Sequence, residues 1–163
     1  MAGSVAAAPG GFGADYQAPR WLPGGNLQTL YPALVATRAS VSYRRERWNT
    51  PDGDFIDLDW TAATAVTGAP LLVLFHGLEG SSNSQYARGL MHDAVQRGWR
   101  GVVVHFRGCS GEINRLPRAY HSGDSAEIDW ILRRLHAQHS GTLFAAGVSL
   151  GGNALLKWLG EQG

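Results

Sequence analysis

The sequence predicts an α/β fold whose sheet is mostly parallel and begins with an antiparallel hairpin. Three short apolar runs, at 71–75, 102–106 and 143–146, are typical of strands that are covered on both faces. Segments with helical spacing of apolar residues separate these runs, which favours right-handed crossovers between parallel strands. Asp52-Gly53 lies between two further strand-like segments and indicates the hairpin. A length of 163 residues fits one domain.

The N-terminal part is predicted to contain a tail, an arm and the two hairpin strands. Residues 1–18 are predicted to form a flexible tail, and 19–163 the N-terminal portion of a single domain. Within that portion, the Pro- and Gly-punctuated segment 19–32 predicts an irregular arm. In the second hairpin strand Asp57 and Asp59 alternate with apolar residues, which predicts a polar face that Phe55 interrupts. The arginine-rich first strand is interpreted as a solvated face.

Helices are predicted between and after the three apolar runs. The first covers about 84–97. The second begins near Asp124, which together with Glu127 three residues later predicts a capping box, and an apolar stripe at i, i+3, i+4 and i+7 follows. A last helix is predicted from Asn153 onward.

Composition and charge exclude several classes of function. The net charge is +1, from 14 basic and 13 acidic residues, which gives no electrostatic argument for binding nucleic acid or an anionic membrane. Cys109 is the single cysteine, so an internal disulfide is impossible. No stretch approaches the roughly 18 apolar residues of a membrane span. The N-terminal residues lack the basic region of a signal peptide, so a cytoplasmic location is predicted.

The segment Gly147-Val148-Ser149-Leu150-Gly151 has the pattern of a nucleophile elbow. It follows an apolar strand and opens a helix, which is the context that this motif requires. Glycines are needed at its ends because side chains there would collide with the neighbouring strand and helix backbones. The turn presents the Ser149 hydroxyl at a helix N-terminus, where free N–H groups stabilise negative charge. The motif predicts an α/β-hydrolase with Ser149 as nucleophile. Phosphate-binding glycine motifs are absent from the sequence.

His76-Gly77-Leu78 follows the first apolar run, where hydrolases of this fold form the other half of the oxyanion hole. Gly77 allows a turn in which the Leu78 N–H faces the substrate carbonyl oxygen. The N–H of Leu150, directly after the nucleophile, is the predicted second donor. The His76 ring is interpreted as structural, because the chemistry needs the backbone N–H and not the imidazole.

Five short sequence blocks occur along the chain in an order that identifies a family far more specifically than any single block does. They are Trp21-Leu22 with Asn26-Leu27-Gln28-Thr29, His76-Gly77-Leu78-Glu79-Gly80-Ser81-Ser82, Arg107-Gly108-Cys109-Ser110-Gly111-Glu112, Tyr120-His121-Ser122-Gly123-Asp124 and Gly147-Val148-Ser149-Leu150-Gly151-Gly152-Asn153. Together they resemble the YheT-like, or embryogenesis-associated, group of α/β-hydrolases. The resemblance implies a carboxylic-ester hydrolase for short-chain or acyl-lipid esters that needs neither a metal nor an organic cofactor. It assigns the nucleophile to Ser149 and the oxyanion donors to Leu78 and Leu150.

The remaining triad members are not evident in this sequence. In this fold the triad runs Ser, then Asp or Glu, then His along the chain, and all six histidines precede Ser149. Glu161 lies about three turns along the elbow helix, too far away to orient a base. His105 is expected as a core residue, and His121 is the alternative base. The chain is therefore expected to lack the triad acid and histidine and to be inactive alone.

The apolar run at 143–146 would form an exposed sheet edge, because no strand-like run follows it. The chain is accordingly expected to be truncated after the elbow helix, and the exposed edge is expected to favour self-association. Two other functions stay open: a non-catalytic binding module on the hydrolase scaffold, and an acyltransferase. Cys109 is disfavoured as a nucleophile because its loop has neither an elbow nor a nearby base.

Overall fold

The computed structural model describes residues 17, 19–34, 39–62 and 65–162. They fall into two compact units, Met1–Thr37 and Arg38–Gly163. The first unit contains helix α1 (Gly24–Leu34), and the second contains a sheet and three helices. The predicted flexible tail, 1–18, lies outside the described residues except for Gln17.

Helix α1 occupies most of the segment for which an irregular arm was predicted, so that prediction was wrong. Pro19 and Pro23 precede the helix, where a proline interrupts no helical hydrogen bond. The N–H of Leu22 donates to the carbonyl of Pro19 (2.9 Å), and the Thr29 hydroxyl donates to the Gly25 carbonyl (2.8 Å). Pro19 and Pro23 therefore mark the start of a helix.

The second unit is built on a five-stranded sheet in the order β1-β2-β4-β3-β5. The strands are β1 (Tyr43–Asn49), β2 (Phe55–Thr61), β3 (Leu71–Phe75), β4 (Arg100–His105) and β5 (Leu143–Gly147). β2 pairs antiparallel with β1 and β4, whereas β3 pairs parallel with β4 and β5. Among the described strands only β2 therefore runs against the others. This arrangement confirms the predicted α/β class, the mostly parallel sheet and the N-terminal hairpin.

The hairpin turn between β1 and β2 has the geometry that its sequence predicts. Asn49 lies opposite Phe55, so five residues form the connection. Within it the N–H of Thr50 donates to the carbonyl of Asp54 (3.0 Å). Gly53 has φ +87°, a conformation that side chains other than glycine rarely adopt.

Three helices cover the two faces of the sheet: α2 (Gln85–Gln96), α3 (Ser125–Gln138) and α4 (Leu150–Gln162). On one face Leu74 packs in a cluster with Met91 of α2. On the other face Phe75 belongs to a larger cluster that includes Ile131 of α3 and Leu155 of α4. The sheet is therefore the middle of three layers, as expected for parallel strands with crossover helices.

The acids at the start of α3 do not form the predicted capping box. The helix begins at Ser125, as predicted, but Asp124 makes no side-chain capping hydrogen bond. Its carboxylate pairs with Arg118 (2.7 Å), and the Glu127 carboxylate pairs with Arg107 (2.7 Å). Both carboxylates are buried. A buried carboxylate is stabilised more by a guanidinium than by a backbone N–H, and this explains the exchange of partners.

The alternating acids of β2 are buried under the arginines of β1. Asp57 is opposite Arg47 and Asp59 is opposite Arg45, and each carboxylate accepts two hydrogen bonds from its arginine at 2.8 to 2.9 Å. Asp57 and Asp59 are only 1% and 4% exposed. The polar face of the hairpin is thus an ion-paired layer whose outer side is formed by half-exposed arginines.

The outer side of β5 is an open, apolar edge within the described chain. No described strand pairs with β5 on the side away from β3. Phe144 is 43% exposed and stacks on Trp99, with ring centroids 5.1 Å apart. Next to the edge, Leu143, Trp158 and Leu159 line part of a groove of about 490 Å³ between α3 and α4. Self-association through this edge stays a prediction.

Candidate active site

Ser149 lies between β5 and α4, at the sharp turn that the glycine pattern predicts. Its φ is +50°, so a non-glycine residue occupies the left-handed region of backbone space. Such a conformation costs free energy and is found mainly where surrounding contacts enforce it. The side chain of Ser149 is exposed. The turn therefore presents a hydroxyl to solvent at the first turn of α4.

The two glycines that flank the elbow permit close backbone contacts on its two sides. A Cβ on Gly151 would lie 2.4 Å from the carbonyl oxygen of Phe75 at the end of β3, and a Cβ on Gly147 would lie 2.6 Å from Cα of Gly152. The N–H of Val148 donates to the carbonyl of Phe75 (3.0 Å), which joins the elbow to β3. The steric reason expected for these glycines is thus present in the structure.

Some of the N–H groups after Ser149 form hydrogen bonds within the turn, whereas that of Leu150 does not. The N–H of Gly151 donates to Val148 O (3.0 Å), and that of Asn153 donates to Ser149 O (2.9 Å). The N–H of Leu150 has no acceptor among the described residues. As the first residue of α4, Leu150 also contributes to the positive end of the helix dipole.

The loop after β3 approaches the elbow at Gly77. A Cβ on Gly77 would lie 3.4 Å from Cβ of Ser149, so the two segments are in near contact. The next residue, Leu78, is 69% exposed, and its N–H has no hydrogen-bond partner in the described part of the chain. The predicted donor N–H groups of Leu78 and Leu150 thus both lack an acceptor among the described residues. Leu150 directly follows Ser149, and Leu78 directly follows Gly77, which approaches Ser149.

His76 is a neutral, structural ring, as the sequence interpretation expected. Its Nε2 accepts a hydrogen bond from the N–H of Phe106 (3.1 Å), so the proton is on Nδ1, which donates to the carbonyl of Gly77 (2.7 Å). Burial lowers the pKa of His76 to about 4. The ring fixes the end of β3 to the end of β4 and supplies no base.

The histidine that sequence analysis placed in the core is buried in an ion-paired cluster. His105 Nε2 lies 2.8 Å from Asp59 Oδ2, and the same oxygen accepts a hydrogen bond from Ser82 Oγ (2.6 Å). Burial raises the pKa of Asp59, but the hydrogen bonds from Arg45, His105 and Ser82 outweigh burial and lower it overall. The Asp59 carboxylate is therefore fully occupied.

His121 lies in the loop that borders the elbow helix. The carbonyl of Ser122 accepts a hydrogen bond from the Asn153 side chain (2.9 Å), which ties this loop to the first turns of α4. The ring of His121 is exposed, and its Nδ1 accepts a hydrogen bond from the N–H of Gly123 (3.1 Å). No described side chain forms a hydrogen bond with the Ser149 hydroxyl, His121 included.

Sequence reasoning did not find that Arg107 is buried among three carboxylates beneath the long loop. Arg107 is the second residue after β4 and follows Phe106. Its guanidinium contacts the carboxylates of Glu127 (2.7 Å), Asp54 (3.1 Å) and Asp52 (3.0 Å). These contacts anchor the loop to α3 and to the hairpin turn. The only sequence signal was an arginine immediately after an apolar run, which names no partner.

Cys109 is a half-buried thiol in the same loop. Burial raises the pKa of Cys109, and a hydrogen bond with Tyr120 only partly opposes this. A raised pKa disfavours the thiolate that a nucleophile needs. The structure therefore agrees with the prediction that Cys109 is not the attacking group.

The architecture and the elbow are those of a known class of proteins. The alpha/beta hydrolase fold family matches residues 70–162, and the chain belongs to this family. A serine hydrolase without a lid, XC6422 from Xanthomonas campestris, superposes with a TM-score of 0.59 at 16% identity, over 77% of this chain and 59% of that one. The esterase Pf2001 of Pyrococcus furiosus also gives 0.59 at 16% identity, over 75% and 48%.

Sequence relatives confirm the predicted YheT-like group. YheT of Escherichia coli (strain K12), named as a candidate esterase, is 49% identical over 85% of this chain and 41% of its own length. Phospholipase ABHD3 of Homo sapiens is 33% identical over 88% and 37%, and the embryogenesis-associated protein EMB8 of Picea glauca is 26% identical over 83% and 32%. The chain thus spans about two-fifths or less of the length of these relatives. Among the described helices, none has the length and hydrophobicity needed to cross a membrane.

Proposed function

We propose that Ser149 is the nucleophile of a serine hydrolase that cleaves carboxylic esters, either short-chain esters or acyl lipids. One observation carries the proposal: Ser149 is an exposed serine at φ +50°, and the Leu150 N–H after it and the Leu78 N–H in the adjoining loop have no acceptor among the described residues. The names of the relatives, esterase and phospholipase, support an ester substrate. A cytoplasmic location stays a prediction from the sequence.

The reaction uses the elbow in two steps. The Ser149 oxygen attacks the ester carbonyl carbon while its proton passes to a general base, and the carbonyl oxygen becomes an oxyanion. The N–H groups of Leu78 and Leu150 donate to that oxyanion, and loss of one such donor typically slows catalysis by about a hundred- to thousandfold. The C–O bond to the alcohol then breaks, the alcohol takes the proton from the base, and water releases the acid from the acyl-enzyme.

The general base is proposed to come from outside this 163-residue chain. The Ser149 hydroxyl has no partner among the described side chains, His76 is a buried structural ring, and His105 is paired with Asp59. A serine hydroxyl is a weak nucleophile until a base is beside it. The chain by itself is therefore expected to turn over esters at a negligible rate.

Chemical rescue with imidazole tests both parts of the proposal. The chain is treated with a fluorophosphonate, with and without added imidazole, and phosphonylation is followed by intact mass and peptide mapping. We expect slow modification of Ser149 that imidazole accelerates by at least about tenfold, since general-base assistance contributes about a hundred- to ten-thousandfold when it is well positioned. Ester turnover is measured in parallel with a short-chain chromogenic ester.

Two variants control this experiment. Ser149→Ala should abolish the imidazole-dependent adduct, whereas Ser140→Ala, an exposed serine that precedes β5, should leave it unchanged. Rapid ester turnover without imidazole would show that the base lies in this chain. Absence of any Ser149 adduct would favour a non-catalytic binding module, and acyl transfer to an added alcohol faster than hydrolysis would favour an acyltransferase.

A further inference from the structure

The loop between β3 and α2 makes a tight turn around Leu78. The N–H of Gly80 donates to the carbonyl of Gly77 (3.0 Å), and Glu79 has φ +52°. A non-glycine residue in the left-handed region is strained, since its Cβ approaches the backbone carbonyl. Other contacts must therefore maintain the turn.

Tyr120 contacts one side of this turn from the long loop after β4. Its hydroxyl accepts a hydrogen bond from the N–H of Glu79 (2.9 Å) and lies 3.4 Å from the Glu79 carboxylate, to which it donates. The ring stacks on Phe106 with centroids 5.2 Å apart and an interplanar angle of 1°. Burial raises the pKa of Tyr120 to about 12, so the hydroxyl keeps its proton at neutral pH.

Tyr86 contacts the other side of the turn from the first turn of α2. Its hydroxyl accepts a hydrogen bond from the N–H of Gly77 (3.0 Å). A Cβ on Gly80 would lie only 2.6 Å from this hydroxyl oxygen, so a side chain at this position would displace the phenol from the loop. The two tyrosines thus bind the backbone N–H groups on either side of Leu78.

As a consequence, two of three consecutive N–H groups are hydrogen-bonded to the tyrosines and the middle one is left free in the described part of the chain. Those of Gly77 and Glu79 each have a phenol oxygen as acceptor, while that of Leu78 has none in the described part of the chain. These bonds hold the peptide plane that precedes Gly77 and the one that follows Leu78, which are the two neighbours of the plane that carries the Leu78 N–H. The free N–H is then oriented without its own partner, as a preorganised donor must be.

We propose that Tyr86 and Tyr120 are positioning residues that orient the Leu78 N–H toward the oxyanion formed at Ser149. This inference rests on the proposed function and adds to it the origin of the donor geometry. The tyrosines act through the backbone and do not touch the substrate. A misplacement of about 1 Å in such a group can slow a reaction by about a hundredfold.

Amide proton spectroscopy tests the backbone part of the inference without requiring activity. In the full chain, hydrogen exchange at the N–H of Glu79 is expected to be at least about tenfold slower than at the N–H of Leu78, because only the former is hydrogen-bonded. Tyr120→Phe should accelerate exchange selectively at Glu79, and Tyr86→Phe selectively at Gly77. Unchanged exchange at both sites would overturn the inference.

The functional part is tested through the phosphonylated enzyme in the presence of imidazole. In the unsubstituted chain the Leu78 amide proton should shift downfield when the adduct forms, since its N–H then donates to the phosphoryl oxygen. Tyr120→Phe and Tyr86→Phe should each reduce this shift and lower the Ser149 phosphonylation rate about ten- to hundredfold. A rate and shift equal to those of the unsubstituted chain would contradict the positioning role.

Two further variants separate positioning from general stability. Tyr43→Phe is the matched control, because the Tyr43 hydroxyl is buried without a hydrogen-bond partner in the described structure, and it should change neither rate nor shift. Glu79→Gly in the Tyr120→Phe background should restore part of the rate, since glycine adopts φ +52° without strain. If the unsubstituted chain forms no Ser149 adduct, the proposed function itself fails. A normal adduct with unaffected tyrosine variants refutes only the positioning role.

Discussion

The two halves of the predicted oxyanion hole are constructed in different ways. At the elbow, Gly151 and Gly147 allow backbone segments to approach so closely that a Cβ would lie 2.4 to 2.6 Å from backbone atoms. At the loop after β3, the side chains of Tyr86 and Tyr120 bind backbone N–H groups. Each half contains a predicted donor N–H that has no acceptor among the described residues, that of Leu150 or Leu78, and each contains a non-glycine residue in the left-handed region.

This difference explains why the contacts that build the elbow are visible in the sequence, whereas those that hold the loop around Leu78 are not. The elbow depends on glycines within five consecutive residues, so its motif is local. The loop depends on tyrosines that are nine and 41 residues away from the groups that they bind. A close backbone contact excludes nearly every substitution, whereas a phenol hydrogen bond can be removed by deleting one oxygen atom.

The largest expected effect concerns the elbow. Gly151→Ala places a Cβ against the carbonyl oxygens of Phe75 and His76, and because backbone must shift, we expect the free energy of unfolding to fall by about 3 kcal/mol. Urea denaturation measures the change. Gly160→Ala on the same helix has nothing within 4 Å and should instead stabilise the chain by up to about 1 kcal/mol. Equal effects at both sites would disprove the packing argument.

The next largest effect concerns the pH dependence of stability and the buried ring of His76, which begins the loop after β3. Burial lowers its pKa from 6.5 to about 4, so between these pH values the unfolded chain binds more protons than the folded one. Stability should therefore fall as the pH is lowered through this window, by up to roughly 3 kcal/mol for this group. Proton NMR of the ring gives the midpoint directly. A titration near 6.5 in the folded chain would show that the ring is not sequestered.

A smaller effect measures the backbone strain at Ser149. Because Ser149 has φ +50°, Ser149→Gly should be more stable than Ser149→Ala by about 1 kcal/mol. Neither variant should be phosphonylated. At Ser140, which is not among the residues with positive φ, the same pair of substitutions should give the opposite order in thermal or urea unfolding. The same order at both sites would mean that the elbow stores no backbone strain.

The smallest effect is expected at His121. Its Nδ1 accepts a hydrogen bond from Gly123 within its own loop, and no described side chain forms a hydrogen bond with the Ser149 hydroxyl. His121→Gln should therefore leave the imidazole-dependent phosphonylation of Ser149 unchanged within about twofold. A loss of tenfold or more, combined with activity of the unsubstituted chain in the absence of imidazole, would identify His121 as the base after all.

Several polar groups were assigned to the right element but to the wrong partner. Asp124 and Glu127 stand at the start of α3, yet they pair with Arg118 and Arg107 and not with backbone N–H groups. Asp57, on the polar face of β2, is buried beneath Arg47. None of these three pairings is encoded by periodicity, because the partners come from the register of the hairpin and the path of the long loop.

The sequence by itself determined the class of this protein, the strand β3, the hairpin turn and the elbow at Ser149. Each of these depends on contacts between near neighbours in the chain, such as the glycines of a turn or the apolar residues of one strand. Only the tertiary structure decided that Tyr86 and Tyr120 flank Leu78 and that Arg107 is buried among three carboxylates. Such polar contacts join segments far apart in the chain, and because a hydrogen bond needs its partner within about 3 Å, they are defined only when the packed layers bring those segments together.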